Sequence, residues 1–276
     1  MQIGIIGLGL IGGSLGLALR DMKLIDKIWG YDLSEQNARE ARELGLVDEI
    51  CDFEYIKEHC DVIFLAIPVD AIVATLKRLE GVGAMTTIID LGSTKAEIIA
   101  SCPPSLRYNL IPAHPMRGTE FSGPKAAFRE LLKGAVVVIC DDKNIGESHV
   151  KRAVEIFSHV GMKIVFMDAA SHDHHTALIS HLPHVISFSL VSAVLSEENR
   201  VNIVNLAGGS FEGMARIAKS SPEMWLDIFK QNRQNLLNSI DEFEEQMAAC
   251  RKMLENSDWA GLYQWMSEAR KIREIL

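Results

Sequence analysis

Three polar segments of this sequence carry the residue types that acid–base chemistry requires. The segment DLGSTK follows an apolar run and supplies the hydroxyl of Ser93 and the ammonium of Lys95. His114 ends a second apolar run, and residues 171–184 contain five of the nine histidines. Imidazole titrates near neutral pH and can therefore remove or return a proton in the cell. His114 is the leading candidate for a general base, although a single histidine is more often structural.

Ser93 and Arg216 are further candidates that also have simpler explanations. The Ser93 hydroxyl could orient a histidine or a substrate, or it could cap the helix expected after it. Arg216 lies in the segment 206–225, and its guanidinium could bind a carboxylate through two parallel hydrogen bonds. An arginine near a helix start is, however, more often a surface residue. Residue types alone leave both alternatives open.

The histidine-rich segment raises the question of a metal site, because imidazole is a common ligand of transition metals. The segment has neither an HExxH motif nor a paired cysteine. His181 and His184 lie on either side of Pro183, which disturbs the helix geometry that normally presents such a pair to one ion. We therefore expect no metal, and we expect these imidazoles to face solvent or substrate.

The N-terminal glycines predict a dinucleotide site. Gly7, Gly9 and Gly12 form GxGxxG between a strand-like run and a helical one. Gly7 permits a tight turn, Gly9 lets backbone N–H groups approach a pyrophosphate, and Gly12 allows close packing of helix on strand. The start of the helix, at Leu10 and Ile11, adds a favourable dipole for the anion. Glycines also serve ordinary turns, so the motif alone is weak evidence.

Asp32 strengthens the prediction of a dinucleotide site. It lies twenty residues after Gly12, where a carboxylate accepts hydrogen bonds from the adenosine ribose. A carboxylate there also repels a 2′-phosphate, and the next basic residue is Arg39, so the sequence favours NAD over NADP. A solvated turn aspartate is the alternative. Pro68 follows another strand candidate on the expected nicotinamide side, although it could simply end that strand.

Alternating strand and helix patterns in the first two-thirds of the chain position these residues. Most strand candidates are continuously apolar, as expected for strands buried on both faces of a parallel sheet. The strand candidates are residues 2–6, 27–31, 61–66, 87–91, 109–113, 135–140 and 163–167. Ser34 begins a helical stretch that ends before Gly45. The pattern predicts an α/β fold with a doubly wound, mostly parallel Rossmann sheet.

Only helical patterns follow Asp168, so we expect two domains, at residues 1–168 and 169–276. The first would bind the cofactor, and the second would be all-helical. Residues 222–256 place apolar side chains at helical spacing, in greater number than one surface helix requires. These side chains could form an intrachain core or a dimer interface.

Composition argues against several classes of protein. The formal net charge is −9, so a broad surface for nucleic acid is not expected. The five cysteines lack a CxxC pair, which argues against a disulfide framework and favours a reducing, cytoplasmic location. Residues 1–19 are uncharged but contain six glycines, which argues against a signal peptide or a membrane anchor.

The order and spacing of five motifs resemble those of the prephenate dehydrogenase family of tyrosine biosynthesis. The motifs are GLGLIGGSL, DLGSTK, HPMRGTE, SHDHHTALISHLPH and GGSFEGMARIAKSSPEMW, and the resemblance extends from residue 1 to about residue 256. It implies NAD-dependent oxidative decarboxylation of prephenate to 4-hydroxyphenylpyruvate, or of arogenate to tyrosine. It also implies a homodimer formed through the helical domain. The expected partner is a small-molecule substrate, with neither nucleic acid nor membrane involved.

The resemblance also implies roles for particular residues. His114 would bind the C4 hydroxyl of the substrate and draw its proton as hydride leaves for NAD+. Ser93 would support His114 near the nicotinamide, and Arg216 would pair with the ring carboxylate. The remaining pocket residues implied by the resemblance are Ser180, His181, His184, Thr119, Glu120, Gly209 and Trp225. The cofactor-binding set is Gly7, Gly9, Leu10, Ile11, Gly12, Asp32 and Pro68.

Two segments depart from the family pattern. Arg117 replaces a small residue in HPMRG and adds a positive group beside an anionic substrate. Gly213 and Ala215 replace polar residues next to Arg216, which alters its expected support. Two alternative functions are a β-hydroxyacid type of Rossmann dehydrogenase and a non-catalytic dinucleotide sensor. The first typically uses a lysine of its helical domain, and the second would bind NAD without turnover.

Overall fold

A single mixed sheet organises the N-terminal part of the chain in the computed structural model, which describes residues 1–197 and 199–275. Its strands are β1 (Gln2–Ile6), β2 (Lys27–Tyr31), β3 (Glu49–Ile50), β4 (Val62–Leu65), β5 (Thr87–Asp90), β6 (Leu110–Pro115), β7 (Val136–Cys140) and β8 (Lys163–Met167). They lie in the order β3-β2-β1-β4-β5-β6-β7-β8. All neighbours are parallel except β6 and β7, which are antiparallel. The predicted doubly wound, mostly parallel sheet is confirmed.

The seven strand candidates all form strands, with bounds within two residues of those expected. The additional strand, β3, has only two residues, which is too short to produce a hydrophobic period. The reversal at β7 places His114 opposite Val138 in the antiparallel pair. An apolar strand buried on both faces has the same composition in either direction, so its sequence does not reveal the reversal.

The helices lie on both faces of the sheet and then form the C-terminal part of the chain. They are α1 (Leu10–Leu19), α2 (Glu35–Glu43), α3 (Phe53–His59), α4 (Val69–Arg78), α5 (Ala96–Ala100), α6 (Glu147–Val160), α7 (Ala169–Thr176), α8 (Leu182–Leu195), α9 (Arg200–Asn205), α10 (Gly209–Arg216), α11 (Pro222–Gln231), α12 (Arg233–Glu255) and α13 (Trp259–Ala269). No strand follows β8 in the described residues, so the expected all-helical part is confirmed. Glu198 and Leu276, within the range expected for the second domain, lie outside the described residues.

The uncharged N-terminal segment forms the centre of the sheet and the helix that packs on it. Ile3 and Ile5 of β1, with Leu15 and Leu19 of α1, are all 0% exposed. Burial of this strand and helix accounts for the apolar composition of residues 1–19. The next predicted helix also forms as expected: the Ser34 hydroxyl accepts a hydrogen bond from Asn37 N–H at 3.2 Å and caps α2.

Helices α7 and α8 form one helical run that is interrupted by a wide π-type turn at Ala177–His181. Pro183 follows this turn in the first turn of α8. A proline ring in a regular helix would clash with the carbonyl four residues earlier, and a widened turn avoids that clash. The run therefore continues through the proline and places His181 beside Asn232 and His184 beside Trp225.

Helix α11 joins the helical part to the sheet. Trp225 and Ile228 of α11 belong to the same apolar cluster as Ile63 of β4 and Ile72 of α4. Asn232 separates α11 from α12, and its backbone (φ −106°, ψ 28°) is not helical. The segment after β5 is thus contacted by Asp173 of α7 and by Gln231 at the end of α11.

Candidate active site

The glycine loop after β1 has the backbone that a pyrophosphate site requires. Gly7 has a φ of +94°, and its N–H donates to the carbonyl of Tyr31 at 2.8 Å. A Cβ on Gly12 would lie 1.9 Å from the Gly7 carbonyl oxygen, so this position accepts no side chain. A Cβ on Gly9 would meet nothing closer than 4.0 Å, which leaves room at the start of α1. The loop fits a dinucleotide, with free N–H groups of α1 available to its phosphates.

Asp32 lies beside this loop, directly after β2. Its Oδ2 accepts a hydrogen bond from Leu8 N–H at 2.9 Å, and its Oδ1 accepts one from Ser34 N–H at 2.9 Å. A carboxylate has about four lone-pair positions, so two remain for the hydroxyls of a ribose. Asp32 is therefore fixed at the glycine loop, unlike a freely solvated turn aspartate.

The other residues predicted at the cofactor site have less distinctive positions. Leu10 and Ile11 form the first turn of α1 and are partly buried against the core. Pro68 is exposed and directly precedes α4, where its extended backbone (φ −53°, ψ 147°) separates the helix from β4. Contact of these three residues with a cofactor stays a prediction.

A buried ion pair fixes the ends of β5 and β6. Both carboxylate oxygens of Asp90, the last residue of β5, lie 2.6 Å from Lys95 Nζ. The same ammonium donates to the carbonyl of Ala113, the residue before His114, at 2.7 Å. Both side chains of the pair are 0% exposed. Lys95 is therefore a structural cation that holds β6 in position, because its ammonium is enclosed by protein.

His114 forms one end of a hydrogen-bonded row of three side chains. Its Nδ1 lies 2.8 Å from Nε2 of His172, and Nδ1 of His172 lies 2.8 Å from Oδ1 of Asp173. Asp173 also accepts the backbone N–H groups of Lys95 and Ala96, at 2.8 and 2.9 Å. His114 is 9% exposed, whereas His172 and Asp173 are 1% and 2% exposed. The row thus connects the strand end to α7.

This environment keeps His114 neutral and Asp173 ionised. Burial, reinforced by the nearby His172, Lys95 and His181, holds the pKa of His114 well below its usual value of 6.5. Burial alone would raise the pKa of Asp173, but hydrogen bonds from His172 and the backbone N–H groups of Ala96 and Lys95 outweigh it and lower that pKa. At neutral pH the neutral ring of His114 can accept a proton.

Ser93 is half-buried in the loop between β5 and α5. The hydrogen-bond partner of His114 Nδ1 is Nε2 of His172 and not Ser93. The support of His114 that the family resemblance implies for Ser93 therefore stays a prediction. The expected position of Ser93 near the nicotinamide stays a prediction.

Aromatic side chains of α8 and α11 form one wall next to this row. The rings of His184 and Trp225 stack with centroids 3.5 Å apart, and His184 Nδ1 lies 2.8 Å from the carbonyl oxygen of Ser180. His181 is 1% exposed, and its Nδ1 lies 3.1 Å from the side-chain amide nitrogen of Asn232. Within the described residues, Nε2 of His181 and Nε1 of Trp225 are buried without a hydrogen-bond partner. Ser180, His181, His184 and Trp225 are therefore brought together, as expected.

Arg216 and Glu120 form an ion pair between the helical part and the loop after β6. Arg216 NH1 donates to Glu120 Oε2 at 3.0 Å, and the arginine side chain is 53% exposed. The pair supports Arg216 without help from Gly213 or Ala215; a Cβ on Gly213 would meet nothing within 4 Å. The departure of these two residues from the family pattern therefore leaves Arg216 with a partner.

Thr119 and Gly209 are close in sequence to Glu120 and Arg216, respectively. The Thr119 hydroxyl accepts a hydrogen bond from Phe121 N–H at 3.2 Å, which shapes the loop that carries Glu120. Gly209 begins α10, the helix that ends at Arg216, and is exposed. Contact of either residue with substrate stays a prediction.

Sequence reasoning missed the roles of His172, Asp173 and Asn232. His172 and Asp173 belong to the histidine-rich segment, but four neighbouring imidazoles gave no reason to select one. The pairing partner of His172 lies 58 residues away, and no local rule relates the two positions.

Among residues 1–197 and 199–275, no group of three His, Cys, Asp or Glu side chains is arranged to hold a metal ion.

Comparison with known protein families gives two matches that together cover most of the chain. Residues 15–166 match the family model described as prephenate dehydrogenase, nucleotide-binding domain. Residues 168–268 match the one described as prephenate dehydrogenase, dimerization domain.

Individual relatives agree with these matches. Prephenate dehydrogenase of Bacillus subtilis (strain 168) is 32% identical over 98% of this chain and 74% of its own length. Cyclohexadienyl dehydrogenase of Zymomonas mobilis is 32% identical over 100% of this chain and 96% of its own length. The crystal structure of prephenate dehydrogenase from Aquifex aeolicus, in complex with hydroxyphenyl propionate and NAD+, has a TM-score of 0.92 and 28% identity. That superposition covers 99% of this chain and 97% of the other.

Proposed function

Since the chain belongs to the prephenate dehydrogenase family and is an NAD-dependent dehydrogenase, we propose that it converts prephenate to 4-hydroxyphenylpyruvate. The observation that carries this proposal is His114, a buried, neutral imidazole at the end of β6 with one ring nitrogen left for a ligand. Family membership sets aside a β-hydroxyacid dehydrogenase, and dehydrogenase activity sets aside a non-catalytic sensor.

The proposed chemistry divides between cofactor and protein. NAD+, when bound at Gly7, Gly9, Gly12 and Asp32, supplies the acceptor for the hydride from C4 of the substrate. His114 binds the C4 hydroxyl through Nε2 and takes its proton. Loss of carbon dioxide from C1 makes the ring aromatic, so the protein has mainly to orient the substrate and hold the proton.

The substrate pocket proposed for this reaction lies between His114 and the aromatic wall. Arg216 would bind the ring carboxylate, since a guanidinium suits a carboxylate and this one is already held at the cleft by Glu120. Nε2 of His181 and Nε1 of Trp225 offer hydrogen bonds that no side chain or backbone group of residues 1–197 and 199–275 satisfies. His184 would pack against the substrate from its stack on Trp225.

Arg117 favours prephenate over arogenate. Its side chain is exposed and makes no ion pair among the described residues. Prephenate has two carboxylates and no amine, whereas the ammonium of arogenate would be repelled by a nearby guanidinium. Replacing Arg117 with alanine should therefore reduce the preference for prephenate, and arogenate is the second candidate substrate.

The test of the proposed function is a rate comparison on the two substrates. Purified chain with NAD+ should form NADH with prephenate at a higher kcat/KM than with arogenate, and NADP+ should be the poorer cofactor because of Asp32. The matched control is His114→Asn, which should remove turnover and keep NAD+ affinity. If the folded protein forms no NADH with either substrate, the proposed function is wrong.

We also propose the organisation in which this activity occurs. Residues 1–168 would form the cofactor domain and 169–276 the helical domain, because β8 ends at Met167 and α7 begins at Ala169. The helical domain would form a homodimer, since residues 168–268 match a family model for dimerization. The five cysteines are free thiols, which suits the cytoplasmic location proposed for this enzyme.

A further inference from the structure

We propose that Asp173 and His172 are positioning residues that fix the tautomer of His114, so that its Nε2 is the bare nitrogen presented to substrate. Asp173, His172 and His114 are called the relay below. The inference rests on the proposed function for its role in turnover, but its central claim concerns the protons of the free protein and can be measured without substrate.

The direction of the relay begins at Asp173, because its carboxylate is surrounded by donors. Oδ1 accepts from Lys95 N–H and Oδ2 from Ala96 N–H, at 2.8 and 2.9 Å. A backbone N–H can only donate, so the carboxylate stays ionised and can only accept. The group 2.8 Å away, Nδ1 of His172, must therefore carry a proton.

The proton on Nδ1 of His172 decides the state of the next ring. A neutral imidazole has one N–H and one lone pair, so Nε2 of His172 is an acceptor. That nitrogen lies 2.8 Å from Nδ1 of His114, which must then donate. By the same rule Nε2 of His114 carries the lone pair. Two hydrogen bonds thus place the basic nitrogen on the side of the ring that faces away from His172.

The opposite arrangement would disable the base. If His172 were doubly protonated, it would donate to Nδ1 of His114, whose proton would then be on Nε2. A protonated Nε2 can donate to the substrate hydroxyl but cannot accept its proton. Lys95, whose ammonium is enclosed in the same region, opposes a further positive charge there. The competent state is therefore the one in which both imidazoles are neutral.

The relay also stabilises the charge that turnover creates. As the substrate O–H bond breaks, the proton forms an N–H bond at Nε2 of His114, and the ring becomes positive. The hydrogen bond from His114 Nδ1 to His172 then strengthens, and the Asp173 carboxylate offsets the charge through His172. Asp173 keeps its negative charge throughout, as the aspartate of a Ser-His-Asp triad does.

The first experiment measures the tautomer directly. The full-length protein, labelled with 15N-histidine, is studied by NMR at about pH 7.5, where unperturbed histidine is mostly neutral. The 15N shifts distinguish a protonated ring nitrogen from a bare one, and a His114→Gln variant assigns the signals. We expect His114 and His172 each to carry one proton, on Nδ1. A proton on Nε2 of His114 in the wild-type protein would overturn the proposal.

The second experiment reverses the relay with Asp173→Asn, which keeps the size of the side chain and removes its charge. With its amide nitrogen toward His172, asparagine donates to that ring, moves the proton to Nε2 and forces His114 into the Nε2–H tautomer. With its amide oxygen there it would keep the wild-type tautomer, so the 15N shifts of the variant are read together with its kcat. If the wild-type enzyme turns over prephenate, kcat of the variant with the reversed tautomer should be lower by about 100-fold or more, with KM for prephenate changed only a few-fold. The NAD+ dissociation constant should not change.

Asp168→Asn is the matched control, because Asp168 caps the same helix α7 from an exposed position and asparagine also caps well. It should leave kcat and the tautomer unchanged. If Asp173→Asn fails to fold, His172→Gln is read in the same assays, and the wild-type spectrum still decides the tautomer. Folded Asp173→Asn that has a reversed His114 tautomer with normal kcat, or the wild-type tautomer with a kcat lowered about 100-fold, refutes the relay. Absence of NADH from wild-type enzyme refutes the proposed function, while the spectrum tests the relay independently.

Discussion

His114 combines a buried ring with one engaged and one free nitrogen. Burial alone makes a histidine neutral, but it leaves the choice of tautomer open. The hydrogen bond from Nδ1 to His172 removes that freedom. The base therefore depends on a side chain that never contacts substrate, and substitutions at His172 should resemble active-site substitutions in their kinetics.

The low pKa of His114 predicts how activity varies with pH. The reaction needs the unprotonated ring, and burial with His172, Lys95 and His181 places that pKa well below 6.5. As pH falls from about 8, kcat/KM for prephenate should therefore stay constant through pH 6.5 and decline only under more acidic conditions. Initial rates across this range provide the measurement. A half-maximal rate at or above pH 6.5 would contradict this prediction. It would mean that solvent or a negative charge near the His114 ring raises its pKa.

Arg216 should act on substrate binding more than on the chemical step. Arg216→Ala removes a charged hydrogen-bonding group and should raise KM about 10- to 100-fold, with kcat changed little. Lys219→Ala is the control, since it removes a positive charge three residues further along the chain and should leave KM nearly unchanged. A large loss of kcat at normal KM would contradict the role given to Arg216.

At the residue scale, sequence reasoning succeeded where function depends on local geometry. The positive φ of Gly7 and the position of Asp32 after β2 follow from a motif within one strand–helix–strand unit. The partners of His114 could not be found in this way. His172 reaches it only because α7 packs across the end of β6, which is a tertiary contact.

At the element scale, the π-type turn at Ala177–His181 allows one helical run to pass through Pro183. The histidines on either side of this proline were expected to lose regular helical geometry. The widened turn departs from regular helical geometry, as expected, and gives the two histidines different environments. His181 is buried against Asn232, and His184 stacks on Trp225.

The start of α1 separates a cofactor role from a packing role for its glycines. Gly9→Ala adds a methyl group with 4.0 Å of clearance, so it should leave stability intact and weaken NAD+ binding about 10-fold or more through contact with the pyrophosphate. Gly12→Ala places a methyl group 1.9 Å from the Gly7 oxygen and should destabilise the fold itself by about 1–3 kcal/mol.

Calorimetric titration with NAD+ and thermal unfolding without it distinguish these two effects. A loss of stability in Gly9→Ala, or normal stability in Gly12→Ala, would contradict the assignment.

The packing requirements at this loop explain why the strand and helix around it could be predicted. Small residues at the loop and apolar strands on either side of it are requirements of packing, and they are visible in a single sequence. The direction of β7 depends on pairing with its neighbouring strand and is not visible in a single sequence.

At the scale of the whole molecule, the helical part leaves much apolar surface uncovered. Only 17% of the most apolar 18-residue stretch of Ala169–Leu195 is buried within the chain. The run meets the length and hydropathy requirements of a membrane span, yet it also carries buried His172 and Asp173. Trp259 and Tyr263 of α13 are 62% and 71% exposed. We expect a second copy of the chain to cover this surface, because residues 168–268 match a family model for dimerization.

This surface predicts a dimer that a single charge can weaken. The protein should sediment at twice its chain mass of 30.6 kDa, and Trp259→Glu should shift it toward the monomer by burying a charge in the interface. Met85→Glu, at a residue that is 63% exposed beside β5, is the control and should remain dimeric. Sedimentation velocity gives both masses. A monomeric wild-type protein would refute the homodimer.

The sequence could not decide between an intrachain core and an interface for residues 222–256, because both bury the same side chains. The structure assigns Trp225 and Ile228 to the core shared with α4. Leu237 and Met247 of α12 stay 41% and 55% exposed. Part of the segment therefore belongs to an intrachain core, and a dimer interface at the exposed part stays a prediction.

Asp173 belongs to α7, yet two of the N–H groups that it accepts come from the loop after β5. If the helical half moved away from the sheet, it would take this carboxylate and His172 with it. His114 would remain on β6, free to adopt either tautomer. NAD+ that binds to such an open molecule would find no competent proton acceptor. Proton transfer would then require contact between the helical part and the sheet. The enzyme would be active only in the closed arrangement that brings Asp173 and His172 to His114.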